Sequence, residues 1–584
     1  MTKRRLSRRG FGALGVSAAL FAGAGRGEGG FGVEDAGLEG PSDPHSLDGK
    51  SIGFYVGSEL TEDGSTLLGG FGHEPSSHWL EIVPRQDHAE DATVTVGVTE
   101  DADIPGELTE IPQASETNKY VASMYSEWAG FPPPLTNGGL NEHGVAARDI
   151  WSPSRAELVE LAEEEAPQTG PQYSDLAKAA MERASSAREA VEVVGGLMDE
   201  HGYSTYGGNS HLFADEDEGW VFINFAHPDG DLWAAERLGA DEVRVSYFGY
   251  IREFPVDHED DPDFIGSDRL VEFAEEQGWW DGEGDTLDLF EVYGLGEFPA
   301  EADEYDAPEF YQAARYPPER EAELRELAPV SLEDMLALVR DPRWSTDHAG
   351  YGQVAHLRPD TREELQTLWT AVTSAATTPY VPIPVGVESV PPEFRQHRYL
   401  TTNSAANFLD EEWKLQEATR YATREFKRLL YFTSADPEAF YADVVGAIEG
   451  FEREVLAERD AVETNARKLF EAGEVRAACE YLTEDTSRRL LESLRLGTTL
   501  AMDVEADLRE RIEIPKPEGR PEPGETTPPT SQSMDEGPDT EMVHVYSEDL
   551  HADYPREHGV YTDEADGVRD GRSRPAPTLE HEGE

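Results

Sequence analysis

Four short stretches of this 584-residue chain gather side chains able to do chemistry. In Gly72-His73-Glu74-Pro75-Ser76-Ser77-His78-Trp79, two imidazoles and a carboxylate could ligate a metal. Pro75 disfavours the helix that would align them, and the spacing is not that of a zincin, so they read as surface or supporting histidines. Asp257-His258-Glu259-Asp260-Asp261 could hold a hard cation, yet as part of a charge run it fits a solvated loop better. Gly207-Gly208 lacks the spacing and the lysine of a phosphate loop. The lone cysteine, Cys479, lies in helix-like Ala477-Ala478-Cys479-Glu480-Tyr481-Leu482, where it reads as a small buried hydrophobe rather than a nucleophile. With no second cysteine there is no intrachain disulfide. No metal and no cofactor is expected.

The elements that must position any site begin near Lys50. Strand-like runs come first, at Ile52-Gly53-Phe54-Tyr55-Val56, Trp79-Leu80-Glu81-Ile82-Val83 and Thr93-Val94-Thr95-Val96. Apolar positions every three or four residues predict a helix over Tyr173 to Glu200, ended by His201-Gly202, with strands returning over Ser210 to Phe225 and Glu242 to Tyr247. After about Thr401 the pattern is helical: Asn407 to Tyr431, Pro437 to Ala472, and Val475 to Glu510 with a Thr-rich break near Leu482. The fold class is therefore mixed α/β (α+β), with a helical C-terminal portion and no repeat of 20 to 50 residues.

Composition bounds the partners. Asp and Glu number 120 against 48 Lys and Arg, a formal charge of -72 that argues against a nucleic-acid partner. The carboxylates are spread along the chain, as on proteins that stay soluble in concentrated salt, so a halophilic source is inferred. Arg4, Arg5, Arg8 and Arg9 precede Phe11 and a weakly apolar run to Ala22, which reads as a twin-arginine export signal. That run is too short for a stable membrane span, and no second one is seen. The expected organisation is a signal over 1–25, a flexible acidic spacer or propeptide over 26–50, a folded domain over 51–512 and an acidic, disordered tail over 513–584. The product is expected outside the cell or at its surface, with its oligomeric state left open.

Several segments resemble, in order, the cysteine dipeptidase family, a relative of secernins and choloylglycine hydrolases among the N-terminal nucleophile (Ntn) hydrolases. They are Ser51-Ile52-Gly53-Phe54-Tyr55-Val56-Gly57 with Thr61-Glu62-Asp63-Gly64-Ser65-Thr66-Leu67, Gly138-Gly139-Leu140-Asn141-Glu142-His143-Gly144-Val145-Ala146, and Gly208-Asn209-Ser210-His211-Leu212-Phe213-Ala214-Asp215. Val354-Ala355-His356-Leu357-Arg358 and Tyr380-Val381-Pro382-Ile383-Pro384-Val385-Gly386-Val387 continue the series. The resemblance implies a four-layer αββα sandwich with a helical C-terminal extension, and a short peptide or amide as substrate.

It also implies site residues. Ser51 falls where the family carries its nucleophilic cysteine, and a serine there can be activated by its own α-amine once the Lys50-Ser51 bond is cut. The other reading is a serine that merely begins a strand. Asn141 and Asn209 would offer amide donors to the oxyanion, each with the alternative of an ordinary turn residue. The family's second strand ends in an Arg-Asn-Glu-Asp type segment, whereas Leu68-Gly69-Gly70-Phe71-Gly72-His73-Glu74 stands here. That loss leaves two functional readings: a dipeptidase-like hydrolase, and a catalytically inactive binding or scaffold protein on the same fold.

Overall fold

The computed structural model describes residues 51–72, 78–125, 130–227, 229–246, 248–294, 318–341, 344–345, 349–395 and 420–512. The signal, spacer and tail expected over 1–25, 26–50 and 513–584 lie outside the described residues, as do His73, Glu74 and the start of the helix expected from Asn407.

The strands of the two main sheets are β1 (Ile52–Val56), β2 (Thr66–Phe71), β3 (His78–Val83), β4 (Tyr120–Tyr125), β5 (Gly139–Asn141), β6 (Ala146–Trp151), β7 (Asn209–Ala214), β8 (Gly219–Asn224), β9 (Trp233–Leu238), β10 (Val243–Ser246), β11 (Phe264–Gly266), β12 (Gly352–Leu357), β13 (Thr367–Ala371) and β14 (Val381–Pro384). One sheet has the order β10-β1-β2-β12-β13-β14, the other β11-β9-β8-β7-β6-β5-β4-β3. The principal helices are α1 (Ala156–Glu164), α2 (Tyr173–Arg183), α3 (Ala187–His201), α4 (Leu332–Arg340), α5 (Ala422–Ser434), α6 (Pro437–Glu471) and α7 (Val475–Arg511). The mixed α/β expectation holds.

Strand alternation sorts side chains between two faces, and here both faces are buried. Tyr55, Leu68, Ala355 and Leu368 of the first sheet share a core with Leu140, Ile150, Leu212 and Val221 of the second. The opposite face of the first sheet, with Ile52, Phe54, Phe71 and Val354, packs on Met335, Leu336 and Val339 of α4. The opposite face of the second, with Ala147, Phe213 and Phe222, packs on Leu176, Ala180 and Val194 of α2 and α3. This is why β1, β2, β7 and β8 read as continuous apolar runs rather than as alternating ones.

Two helix expectations change. The helix expected over Tyr173 to Glu200 is broken after Arg183, because Ser186 caps a new helix by accepting from the Glu189 N–H. Conversely, α7 runs through Leu482 without the expected break. Thr483 donates its hydroxyl to the Cys479 carbonyl one turn back, so its polar group is satisfied inside the helix.

Candidate active site

Ser51 immediately precedes β1 and is 5% exposed. By alternation it shares the face of Gly53 and Tyr55, which look across at the second sheet, while Ile52, Phe54 and Val56 look toward α4. β1 runs alongside β7, since a side chain at Gly53 would meet Leu212 and the Tyr55 ring lies against Gly219, which pairs with Ala214. Ser51 therefore points into the intersheet space at the end where β7 starts and β6 finishes.

β2 leaves that space unusually clear. Gly53, Gly70 and Gln353 form one row across β1, β2 and β12. Gly70 has φ of +147°, and a Cβ there would sit 2.2 Å from the Ile52 carbonyl oxygen, so only glycine fits.

Arg148, from β6 of the facing sheet, crosses this clearing. Its stem lies over Gly53, where an added Cβ would be 3.6 Å from the Arg148 Cγ. Its guanidinium donates to the Tyr351 hydroxyl at 2.9 Å and to Gln353 Oε1, and it stacks on the Tyr351 ring. Gln353 in turn donates to Ser123 Oγ at 3.0 Å, and the His78 ring lies 5.5 Å from that of Tyr351. Arg148 is only 1% exposed. Sequence reasoning missed it, although the signal was there: Arg148 stands between Ala146 and Ile150, two apolar residues of the same strand face.

The two asparagines are placed differently from the expectation. Asn141, at the end of β5, donates one amide hydrogen to each of the Met181 and Ala184 carbonyls, at 3.1 and 2.7 Å. Its Oδ1 accepts from the His143 and Val145 N–H groups. Every bonding position of the side chain is used to lock the β5–β6 turn onto the end of α2, so no donor remains for an oxyanion.

Asn209 shares the strand face of His211 and Phe213, which is the α2 side of the sheet, opposite to the face looking toward Ser51. It donates to Asp149 Oδ1 at 2.6 Å and accepts from the Tyr206 hydroxyl at 2.8 Å. Asp149 also accepts from Asn137 at 2.6 Å. Neither amide is directed at Ser51: Asn141 is bonded to the end of α2, and Asn209 lies on the opposite face of its sheet.

Burial pushes the Asp149 carboxyl up to about 7, partly offset by its two amide donors. Burial also lowers the His211 imidazole to about 4, so the 3.9 Å approach of His211 to Asp149 is not an ion pair near neutrality. In the β1–β2 turn, Asp63 accepts from the Ser65 hydroxyl at 2.6 Å and meets His356 Nε2 at 2.8 Å, joining two segments that carried the family resemblance.

The other chemistry-bearing stretches do not converge on Ser51. Cys479 is buried in α7 among apolar neighbours, and burial pushes its thiol up, away from nucleophilic character. His258 to Asp260 forms a single 3₁₀ turn. Among the described residues, His227, Asp229 and Asp231 have ligand atoms within 4.8 Å of one another, but His227 Nδ1 is already paired with Asp231 at 2.7 Å.

Residues 125–333 match the family model for Peptidase family C69. The match supports a place in this cysteine dipeptidase family. The C69 stretch takes in Asn141, Arg148, Asp149 and Asn209 and begins after Ser51. The match also supports a peptidase-type function. Among the described residues, no helix is long and apolar enough to cross a membrane.

Proposed function

We propose that this protein is an exported, salt-adapted hydrolase of short peptides, dipeptidase-like, acting through Ser51 as an N-terminal nucleophile after removal of its leader. The observation that carries this reading is the placement of Ser51. It is buried at the head of β1 and turned into a glycine-cleared intersheet space, in a chain with a C69 match. Two stacked antiparallel sheets with helices against their far faces suit the four-layer Ntn architecture that the family resemblance implies.

The chemistry needs few groups. With Lys50 removed, the Ser51 α-amine, whose ordinary pKa is about 7.7 to 8.0, takes the hydroxyl proton while Oγ bonds to the scissile carbonyl carbon. The C–N bond breaks, the departing amine carries off that proton, and water then hydrolyses the Ser51 ester. Serine in place of cysteine removes the thiolate advantage but not the route. In this scheme Asn141 ties the β5–β6 turn to the end of α2 and Asn209 ties β7 to β6, and neither takes part in the chemistry.

A second reading, a binding or scaffold protein without catalysis, is favoured by one observation: the Asn141 amide is fully engaged at the end of α2, and the Asn209 amide donates to Asp149 on the sheet face away from Ser51. Dipeptide hydrolysis in concentrated salt separates the two. Activity in the wild-type protein that falls to background in Ser51→Ala supports the hydrolase. An unchanged rate in Ser51→Ala removes Ser51 from the mechanism, and no hydrolysis in the processed wild type leaves the scaffold reading.

A further inference from the structure

Acidic residues outnumber basic ones by 120 to 48 in this chain, so a buried cation has every opportunity to find a carboxylate. Other buried or half-buried arginines do. Arg340 is held by both oxygens of Glu452, and Arg244 by Glu236 with Glu321 nearby. Arg489 meets Glu458 and Glu492. Arg148 is 1% exposed, and its hydrogen-bond partners are a tyrosine hydroxyl and a glutamine amide oxygen, both neutral. Its Nε has no hydrogen-bond partner, and no carboxylate among the described residues lies within ion-pair distance. The neighbouring Asp149 looks to the opposite face of the sheet and is occupied by Asn137 and Asn209. Burying a guanidinium without a counter-charge is costly, so such a group is tolerated where an anion completes it in use.

The surroundings say where that anion would sit. Gly53 and Gly70 carry no side chain into the clearing, and Arg148 spans it from Gly53 to Gln353. The guanidinium is held by Tyr351 and Gln353 at the start of β12, two strand spacings or about 10 Å across from the Ser51–Gly53 stretch of β1. An extended dipeptide spans about 7 Å. With a hydrogen-bond contact of about 3 Å at its carboxylate end, it covers that separation, which is on the scale of a dipeptide and not of a long peptide.

We propose that Arg148 is the anchor for a free carboxylate of the substrate, restricting the enzyme to short peptides whose C-terminal carboxylate lies about one residue beyond the bond attacked by Ser51. This rests on the hydrolase reading of Ser51. It goes further by naming a residue and a ligand group. The guanidinium fork suits a carboxylate with two parallel hydrogen bonds, and the neutral partners Tyr351 and Gln353 hold it in place without neutralising it.

The test is direct binding to the processed full-length protein in high salt, by calorimetry, of a dipeptide analogue with a reduced, uncleavable CH2–NH linkage. It is compared with its C-terminal amide, and with an amide carrying an acidic side chain. The acid should bind about 10- to 100-fold more tightly than the simple amide, and Arg148→Gln should abolish that difference. Should Arg148→Gln fail to fold, Arg148→Lys, which keeps the charge but loses the fork, should shrink it. Recovery of binding by the acidic side chain would still support a carboxylate site and assign the source to the side chain. Equal binding of acid and amide, binding of neither, or a preference that survives in Arg148→Gln would overturn the proposal. Hydrolysis distinguishes the two levels of the reading. Peptides and their amides cleaved equally well, in a Ser51-dependent manner, would leave the hydrolase standing and remove the Arg148 anchor. Arg148-dependent selectivity for the acid in a protein that cleaves nothing would do the reverse.

Discussion

Arg148 and Asp149 are neighbours on one strand and meet opposite fates. Among the described residues Arg148 enters the intersheet space near Ser51 with only neutral hydrogen-bond partners, whereas Asp149 faces α2 and accepts from two buried amides, Asn137 and Asn209. A single peptide step separates a carboxyl whose two oxygens each accept from a buried amide from a guanidinium whose Nε has no hydrogen-bond partner. Hydrogen-bond bookkeeping thus sorts the polar groups of this sheet into structural and functional sets, and the two asparagines fall on the structural side.

Substitutions can break this contrast. The largest stability effect is expected for Asp149→Ala, which leaves two buried amide groups without their acceptor and should cost about 3 kcal/mol in urea unfolding. A loss below about 0.5 kcal/mol would mean that the α2-side cluster does not hold the fold. Asn141→Ala should cost about 2 kcal/mol by leaving the Met181 carbonyl and the His143 and Val145 N–H groups without their partner, with kcat/KM per folded molecule unchanged. A folded Asn141→Ala protein that has lost hydrolysis would return Asn141 to the oxyanion role. Arg148→Met should change stability least, within about 1 kcal/mol, because it removes a buried charge that has no ion pair among the described residues, which offsets the lost hydrogen bonds.

The pH dependence sharpens the same comparison. Asp149 stays protonated in the folded protein up to about 7 but ionises near 4 when unfolded. The folded state therefore holds the extra proton between those limits. The stability this group contributes is present below about pH 4 and is lost as pH rises to about 7. His211, lowered to about 4, acts in the opposite sense between about 4 and 6.5, gaining stability as pH rises. The wild type should thus show a shallow profile, and Asp149→Asn a stability that climbs from pH 4 to 6.5. Parallel profiles for the two proteins would place the ionisation of Asp149 outside this window.

Much of the fold was legible because buried strands and amphipathic helices leave strong apolar patterns. The Ile52–Val56 strand, the paired strands within Ser210 to Phe225 and the long C-terminal helices all follow from them. The break at Ala184 to Ser186 was harder, since a serine cap and a mid-helix serine look alike in sequence until the turn is seen. At the site, residue type suggested Asn141 and Asn209 but not their orientation. Whether a strand residue looks toward the partner sheet or toward the helices depends on which core its neighbours join, which is a tertiary fact. Arg148 was passed over for the converse reason: a charged residue beside Asp149 reads as surface, and only its apolar neighbours at Ala146 and Ile150 mark it as buried.

Catalysis by Ser51 through its own α-amine requires that Ser51 lead the mature chain. N-terminal sequencing of the exported, active protein tests it most directly. Ser51 should be found as the first residue, and a mature start near residues 23 to 27 in a protein that still hydrolyses dipeptides would contradict it.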